Sequence, residues 1–292
     1  MARFKYLMKP SRKEPPVLTG TVEYTAGCHI GSRRTNQDNL RAGSKCPLIK
    51  ARSATLAKGT IQLQDMDLFC VCDGVGGGYR GDLAAKYALK AIKRYLKTAC
   101  TPQLSLRTIA LEAAERAQAE VCGFYETAQK AGGCTLSMIA LRGDHYVYLN
   151  IGDSPGFLIP FDGTIFELSQ RHNLAWEKLR MGLPAREGDS SRLLNYLGME
   201  GMSAQNIAYV TEGHLSVGDH ILLCTDGVSS TFSPPSLEKS IRNKTTAGQI
   251  TKAAAAMQDA DNCTAVCLTV TGIHRSSHKE DHHNGPQSDS EI

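Results

Sequence analysis

Hydrophobic positions along the chain fall mostly into short runs of strand length, interrupted by stretches of helical period. Residues 68–72 (LFCVC), 134–141 (CTLSMIAL), 146–152 (YVYLNIG), 156–168 (GFLIPFDGTIFEL), 220–224 (HILLC) and 262–270 (NCTAVCLTV) read as strands. Within the fourth, Asp162-Gly163 stands between alternating apolar residues and predicts a hairpin turn. Residues 82–97 have a helical period that puts Leu83, Tyr87, Ala88, Ala91 and Tyr95 on one face, with Asp82 as N-cap. A second helix follows directly, from about Ser105 to Gln129. Residues 173–205 read as helix and loop, and one or two helices separate the last two strands. Strands adjoin strands and helices adjoin helices, which predicts an α+β fold of antiparallel sheets with helices layered outside.

Composition narrows this picture little. At 292 residues the chain can bury a full core, as one large domain or two small ones, and 41% hydrophobic with 21% charged residues is ordinary. A net charge of +4 without a basic stripe points away from nucleic acid. Arg3, Lys5, Lys9, Arg12 and Lys13 crowd the beginning, so residues 1–20 read as a basic flexible arm. Residues 273–292, with His278, His282 and His283, read as a disordered tail. No run has the length of a signal peptide or membrane span. The ten cysteines show neither C-x-x-C nor zinc-type spacing, which predicts free thiols in a reducing cytoplasm.

Two motifs compete at residues 68–89. Gly76, Gly78 and Gly81 spell G-x-G-x-x-G, the dinucleotide pattern. That fold needs a second parallel strand after the glycine-loop helix, and here a second helix comes instead. Asp73 would also sit beside the pyrophosphate with the wrong charge, so the match is rejected. The alternative starts from recurrence: LFCVCDG at 68–74 and ILLCTDG at 221–227 both deliver Asp-Gly at the end of an apolar strand. Asp38 in RRTNQDNL and Asp261 before the last strand sit comparably. Carboxylates converging in one cleft repel one another and stay partly protonated unless cations neutralise them. Mg²⁺ and Mn²⁺ are hard ions that suit such oxygen ligands, and two of them about 3.5–4 Å apart can activate a water toward phosphorus. Arg33, five residues before Asp38, is of the type that grips phosphate.

In order and spacing, RRTNQD, VCDGVGG, GGCTLSMIAL, LNIGDSPGFLI, LLCTDGVSS and DNCTAVCLTV resemble the metal-dependent Ser/Thr protein phosphatases of the PPM, or protein phosphatase 2C, family. The resemblance covers roughly residues 22–271. It implies a β-sandwich of two antiparallel sheets flanked by helices, a catalytic domain over 21–272, and a flap over 173–205. It implies that Asp73 bridges two Mn²⁺ or Mg²⁺ ions with the Gly74 carbonyl on one of them. Asp226 and Asp261 would complete one ion's shell, Asp38 would act through the metal-bound waters, and Arg33 would hold the substrate phosphate. Asp153 and Asn262 would support these residues. The implied reaction is direct hydrolysis of phosphoserine and phosphothreonine in proteins, with a kinase of the same pathway as opponent, in a cytoplasmic monomer that binds neither nucleic acid nor membrane.

Val75 stands where animal and plant members have histidine, which points to the bacterial branch, and His172 has no implied role. Gln37 replaces a Glu, Pro155 replaces the Arg of G-D-S-R, and Lys130 stands about where many members carry an Asp for a third metal. The third ion is therefore not expected, and the Lys130 ammonium is expected to replace part of its charge. These departures leave a catalytically weak or inactive binding module as the alternative. A thiol phosphatase is the other rival, since Cys28 with Arg34 and Cys46 with Arg52 both have C-x₅-R spacing. Neither is followed by the helical pattern that a thiolate nucleophile needs.

Overall fold

The computed structural model describes residues 18–43, 57–63, 66–75, 78–98 and 103–275. The basic arm up to residue 17, the three tail histidines, Gly76, and Cys46 with Arg52 lie outside the described residues. In chain order the elements are β1 (Leu18–His29), β2 (Asn39–Arg41), β3 (Ala57–Gln62), β4 (Asp67–Cys72), α1 (Gly81–Thr98), α2 (Leu106–Ala128), β5 (Leu136–Arg142), β6 (His145–Ile151), β7 (Gly156–Ile159) and β8 (Phe166–Glu167). There follow α3 (Leu174–Arg180), α4 (Ala204–Ile207), β9 (Tyr209–His214), β10 (His220–Cys224), α5 (Asp226–Ser229), α6 (Pro234–Arg242), α7 (Ala247–Ala255) and β11 (Cys263–Arg275). One sheet runs β3-β1-β11-β10-β7-β8 and the other β2-β4-β5-β6-β9, with every pairing antiparallel.

Period-two alternation inside single strands builds four layers. Phe69 and Val71 of β4, Ile221 and Leu223 of β10, and Val266, Leu268 and Val270 of β11 meet between the sheets. Their neighbours face outward: Leu68, Cys70 and Cys72 pack under α1 and α2, while Leu222, Cys224 and Cys267 pack under α6 and α7. Strands covered on both faces read as unbroken apolar runs, which is why these central ones are conspicuous in the sequence. Tyr24 of one sheet meets Phe69 of the other edge-on, with ring centroids 5.3 Å apart.

The predicted α+β layering is therefore the observed one. The Asp162-Gly163 turn does join a hairpin, with Gly163 N–H donating to the Pro160 carbonyl and β7 pairing with β8. Helix α2 matches its predicted ends: Ser105 caps it by accepting from the Thr108 N–H at 3.0 Å, and Gln129 closes it in the left-handed region. Two readings of α1 need correction. Asp82 lies inside the first turn, not at the N-cap, and its carboxylate is held by Arg80 at 2.7 and 2.8 Å. The buried face centres on Ala84, Ala85, Ala88, Leu89 and Ile92, leaving Leu83 and Tyr87 only half-buried, because α1 packs by small alanines close to α2. β1, β2, β3 and β9 are additions to the predicted strands. β1 buries Val22, Tyr24, Ala26 and Cys28, but Thr, Gly and Glu between them hide the run.

Eight cysteines fall among the described residues and all are free thiols, seven of them buried. No helix there is long and apolar enough to cross a membrane.

Urea denaturation should separate two kinds of contribution. Phe69→Ala, at the centre of the inter-sheet layer, should lower stability by about 3–5 kcal/mol. Ser105→Ala, which removes only the α2 cap, should cost about 1 kcal/mol.

Candidate active site

Five acids stand at strand ends, and antiparallel pairing brings those ends to one side of the sandwich. Asp38 directly precedes β2 and Asp73 directly follows β4, whose first and last residues Asn39 and Cys72 are paired. Asp153 lies two residues after β6, Asp226 two after β10 and Asp261 two before β11. Arg33, Asp73, Gly74, Asp153, Asp226 and Asp261 line a cleft of about 520 Å³. Asp38 stands behind that wall, only 3% exposed.

Backbone packing fixes the two Asp-Gly corners. A side chain on Gly74 would come within 2.5 Å of the Gly81 backbone where α1 begins, and one on Gly227 would run into the Asn262 carbonyl. At the hairpin glycine, Gly163, the nearest atom would be 3.2 Å away. The cleft glycines thus allow two backbone segments to touch behind each acid, while Gly163 serves an open turn.

Hydrogen bonds then aim the acids. Asn262 is the central tie: its Oδ1 accepts from the Gln37 N–H at 2.8 Å, and its Nδ2 donates to the carbonyls of Ile30 and Thr35 at 2.8 and 3.1 Å. This holds the loop carrying Arg33 and Asp38 against the start of β11. Thr225 donates to Asp38 Oδ2 at 2.9 Å, and Thr135 Oγ1 accepts from the Asp73 N–H at 2.9 Å while meeting Ser154 Oγ at 2.7 Å. Asn173 bonds Asp153 through Nδ2 (3.2 Å) and caps α3 through Oδ1 (2.9 Å). His172 accepts from the Gly152 N–H through Nδ1 at 3.2 Å, and burial pushes its pKa down to about 4, so it is a neutral strut. Thr135, Asn173, Thr225 and the strut role of His172 are absent from the sequence reading. The polar residues beside the acids in GGCT, RHN and CTDG are the signal that could have found them.

The electrostatics follow from crowding and burial. Burial, opposed by threonine hydroxyls, pushes Asp38 up to about 7. Asp73 is held well above the usual carboxylate range, first by burial and then by the charges of Asp38 and Asp226. Asp226 is raised by burial and by Asp261, and Asp153 is pushed up to about 6 by burial and then by Asp226. Asp38 Oδ1 and Asp226 Oδ1 are buried with no donor.

This donor chemistry fits hard divalent cations: several carboxylates, two buried oxygens without a partner, and no soft ligand among the described residues of the cleft wall. The arrangement is not a finished coordination shell. Among the described residues no group of three or more His, Cys, Asp or Glu is placed, as it stands, to hold a metal ion. Asp261 Oδ2 is taken by Arg33 Nη2 at 2.7 Å and Asp38 Oδ2 by the Thr225 hydroxyl at 2.9 Å. The Arg33 pair is exposed (58% and 39%), so breaking it costs at most about 1 kcal/mol.

Lys130 corrects an expectation. It is exposed and lines a different cavity with Tyr125 and Tyr196, not the acid cleft, so it does not substitute for a third ion's charge. The thiol rival fails at Cys28, a buried residue within β1 that is followed by a loop and whose pKa burial pushes up to about 12. Such a thiol is not a nucleophile.

Residues 56–260 match the family model for protein phosphatase 2C. The chain belongs to the protein phosphatase 2C family. That membership places it among the phosphoprotein phosphatases. It is 27% identical over 185 residues to the serine/threonine phosphatase stp of Listeria innocua, an alignment covering 60% of this chain and 72% of the relative. Its fold is similar to the Mycobacterium tuberculosis serine/threonine phosphatase PstP/Ppp, with a TM-score of 0.69 at 20% identity over 86% of this chain and 100% of that one. It is also similar to the PstP catalytic domain in complex with 2 manganese ions, with a TM-score of 0.68 at 19% identity and the same coverage. At these identities the two structural likenesses establish the fold.

Two measurements test the site. Gly74→Ala and Gly227→Ala should each destabilise the protein by about 1–3 kcal/mol, with Gly163→Ala within about 0.5 kcal/mol of wild type. The second is pH dependence in chelator-treated protein. Acids raised in the folded state bind protons that the unfolded chain has already lost. Their contribution to stability is therefore greatest near pH 4 and declines as pH rises through about 6 for Asp153 and about 7 for Asp38. Denaturant midpoints should fall over that window, with a slope on the order of 1 kcal/mol per pH unit per acid. Asp38→Asn should flatten the upper part of it.

Proposed function

We propose that the cleft hydrolyses phosphoserine and phosphothreonine monoesters in proteins with a pair of Mn²⁺ or Mg²⁺ ions as cofactor. The observation that carries this reading is the convergence of acids from separate strand ends on one cleft that also holds an exposed arginine. The manganese-containing neighbour supports the choice of ion.

Asp73, the Gly74 carbonyl, Asp226 and Asp261 are the residues that would hold the ions, with Asp38 behind them. Bound there, the cations supply positive charge that lets the carboxylates ionise together, and Lewis acidity that makes water nucleophilic near neutral pH. Arg33 leaves Asp261 and grips two phosphate oxygens with its guanidinium, orienting the ester for in-line attack. Asp38 keeps Oδ2 on the Thr225 hydroxyl, so Oδ1 is the oxygen available to accept a proton from the attacking water. Val75 supplies no acid to the leaving serine or threonine oxygen, whose proton comes from solvent in the cleft. Asn262 and Asp153 act by position: one fixes the Arg33–Asp38 loop, the other ties the acids to α3 through Asn173.

On this reading residues 21–272 form the catalytic domain and 173–205 its flap. Ser191 and Leu193 of the flap line the cleft, which makes that segment the natural selector among phosphoproteins. The same reading makes the protein a monomer opposed by a Ser/Thr kinase.

The test is phosphate release from a phosphothreonine peptide. Activity should require added Mn²⁺ or Mg²⁺, vanish with EDTA, and fall at least about 10²-fold in kcat for Asp73→Asn. Arg33→Ala should raise KM about tenfold or more while leaving stability within about 0.5 kcal/mol. Equal rates for wild type and Asp73→Asn would overturn hydrolysis and favour a phosphopeptide-binding module on the same fold.

A further inference from the structure

A second cavity of about 490 Å³ lies away from the acid cleft, and none of the cleft's lining residues contributes to it. Its walls come from the end of β2, the end of β3, the start of β4 and the C-terminal half of α1. Arg41, Lys93 and Lys97 line it, with apolar surface from Ile61 and Leu96.

Arg41 is the unusual member. It is 5% exposed, and its Nε and Nη1 atoms are buried without any hydrogen-bond partner. A buried lysine can shed its proton, but a guanidinium stays charged in a protein, so this positive charge needs a counter-ion or acceptors. Asp67 lines the same cavity, yet its Oδ1 takes the Leu68 N–H at 2.8 Å, and neither orphaned Arg41 nitrogen bonds it. Lys93 and Lys97 add further positive charge, so three cationic side chains face one acid, Asp67, among the described lining residues. Such a combination wastes stability unless something anionic occupies it.

We propose that this cavity is a binding site for a small oxyanion ligand, a phosphate or carboxylate carried on a compact body, with Arg41 as its inner anchor and Lys93 and Lys97 at its mouth. The apolar walls fit the body of such a ligand, and the volume fits a small organic anion. Its place in the fold ties it to the acid cleft. Arg41 is three residues along the chain from Asp38, about 10 Å when extended, and β4 runs from Asp67 at the cavity to Cys72, next to Asp73 of the cleft. α1 begins beneath Gly74 and ends at this cavity.

The test uses the full chain carrying Arg33→Ala, which removes the cleft's own grip on oxyanions, with inorganic phosphate and non-hydrolysable phenylphosphonate as probes. Millimolar phenylphosphonate should raise the thermal midpoint by about 3 °C or more. Adding Lys93→Gln with Lys97→Gln should cut that shift by half or more, and adding Arg41→Met should abolish it. The two lysines stand at the solvent edge of α1, so their variant tests the site even where Arg41→Met does not fold. Equal shifts from the two probes would assign the site to the bare oxyanion, and a larger shift from phenylphosphonate to an organic anion. No shift with either probe, or an undiminished shift in the lysine variant, overturns the proposal.

Discussion

Mutual repulsion among carboxylates is the constraint on which the structure turns. Asp38, Asp73, Asp153 and Asp226 are all held above the usual carboxylate range, in each case first by burial and then by one another or by Asp261. Left to itself, such a cluster opposes folding, because every acid brought in raises the cost of ionising the others. The scaffold answers with rigidity rather than with compensating bases. Each acid emerges from the end of a strand buried on both faces, and antiparallel registers fix where those ends lie. Among the described residues the cation in direct contact with a cleft acid is Arg33, on the solvent side of Asp261.

That rigidity depends on a small set of neutral groups. Asn262, Thr225, Thr135 and Asn173 carry no charge, yet each bonds an acid, or the backbone beside one, and each also holds a second segment of chain. Neutral donors orient a carboxylate without neutralising it, which leaves its charge available to a ligand. Arg33 works differently, because its bond to Asp261 is exposed and cheap to exchange.

How much of this was legible depended on the chemistry of each segment. The central strands announced themselves because both faces are apolar, and the two strand-terminal Asp-Gly pairs stood out because apolar runs lead into them. β9 did not, since it is an edge strand whose Tyr209 and His214 face solvent. β1 did not, since threonine and glycine dilute its inward Val22 and Tyr24. Of the expected α1 face, Ala88, Ala91 and Tyr95 are buried while Leu83 and Tyr87 are half-buried, because close packing on α2 also turns Ala84 and Ala85 inward. Lys130 was misplaced because adjacency to GGCT in sequence is not adjacency to the cleft: the chain passes Ala131 and Gly132 before turning into it. The contact of Arg33 with Asp261 spans 228 positions, and no local pattern encodes such a pairing.

The departures from the family pattern read differently once their contacts are known. Gln37 gives the scaffold its backbone: its N–H goes to Asn262 and its carbonyl accepts from Gly74 at 3.2 Å. Those bonds would form equally with glutamate there, so the exchange removes a charge without loosening either loop. Pro155 likewise contributes its carbonyl, which accepts from the Cys224 N–H at 3.1 Å, and a proline retains that acceptor. Both positions therefore preserve the geometry that aims Asp38, Asp73 and Asp226, and what differs is the field around them. One fewer negative charge beside Asp38 makes its ionisation easier, not harder. The substitutions thus alter the electrostatic setting of a site whose framework they leave intact, which favours a tuned enzyme over a scaffold that has lost its chemistry.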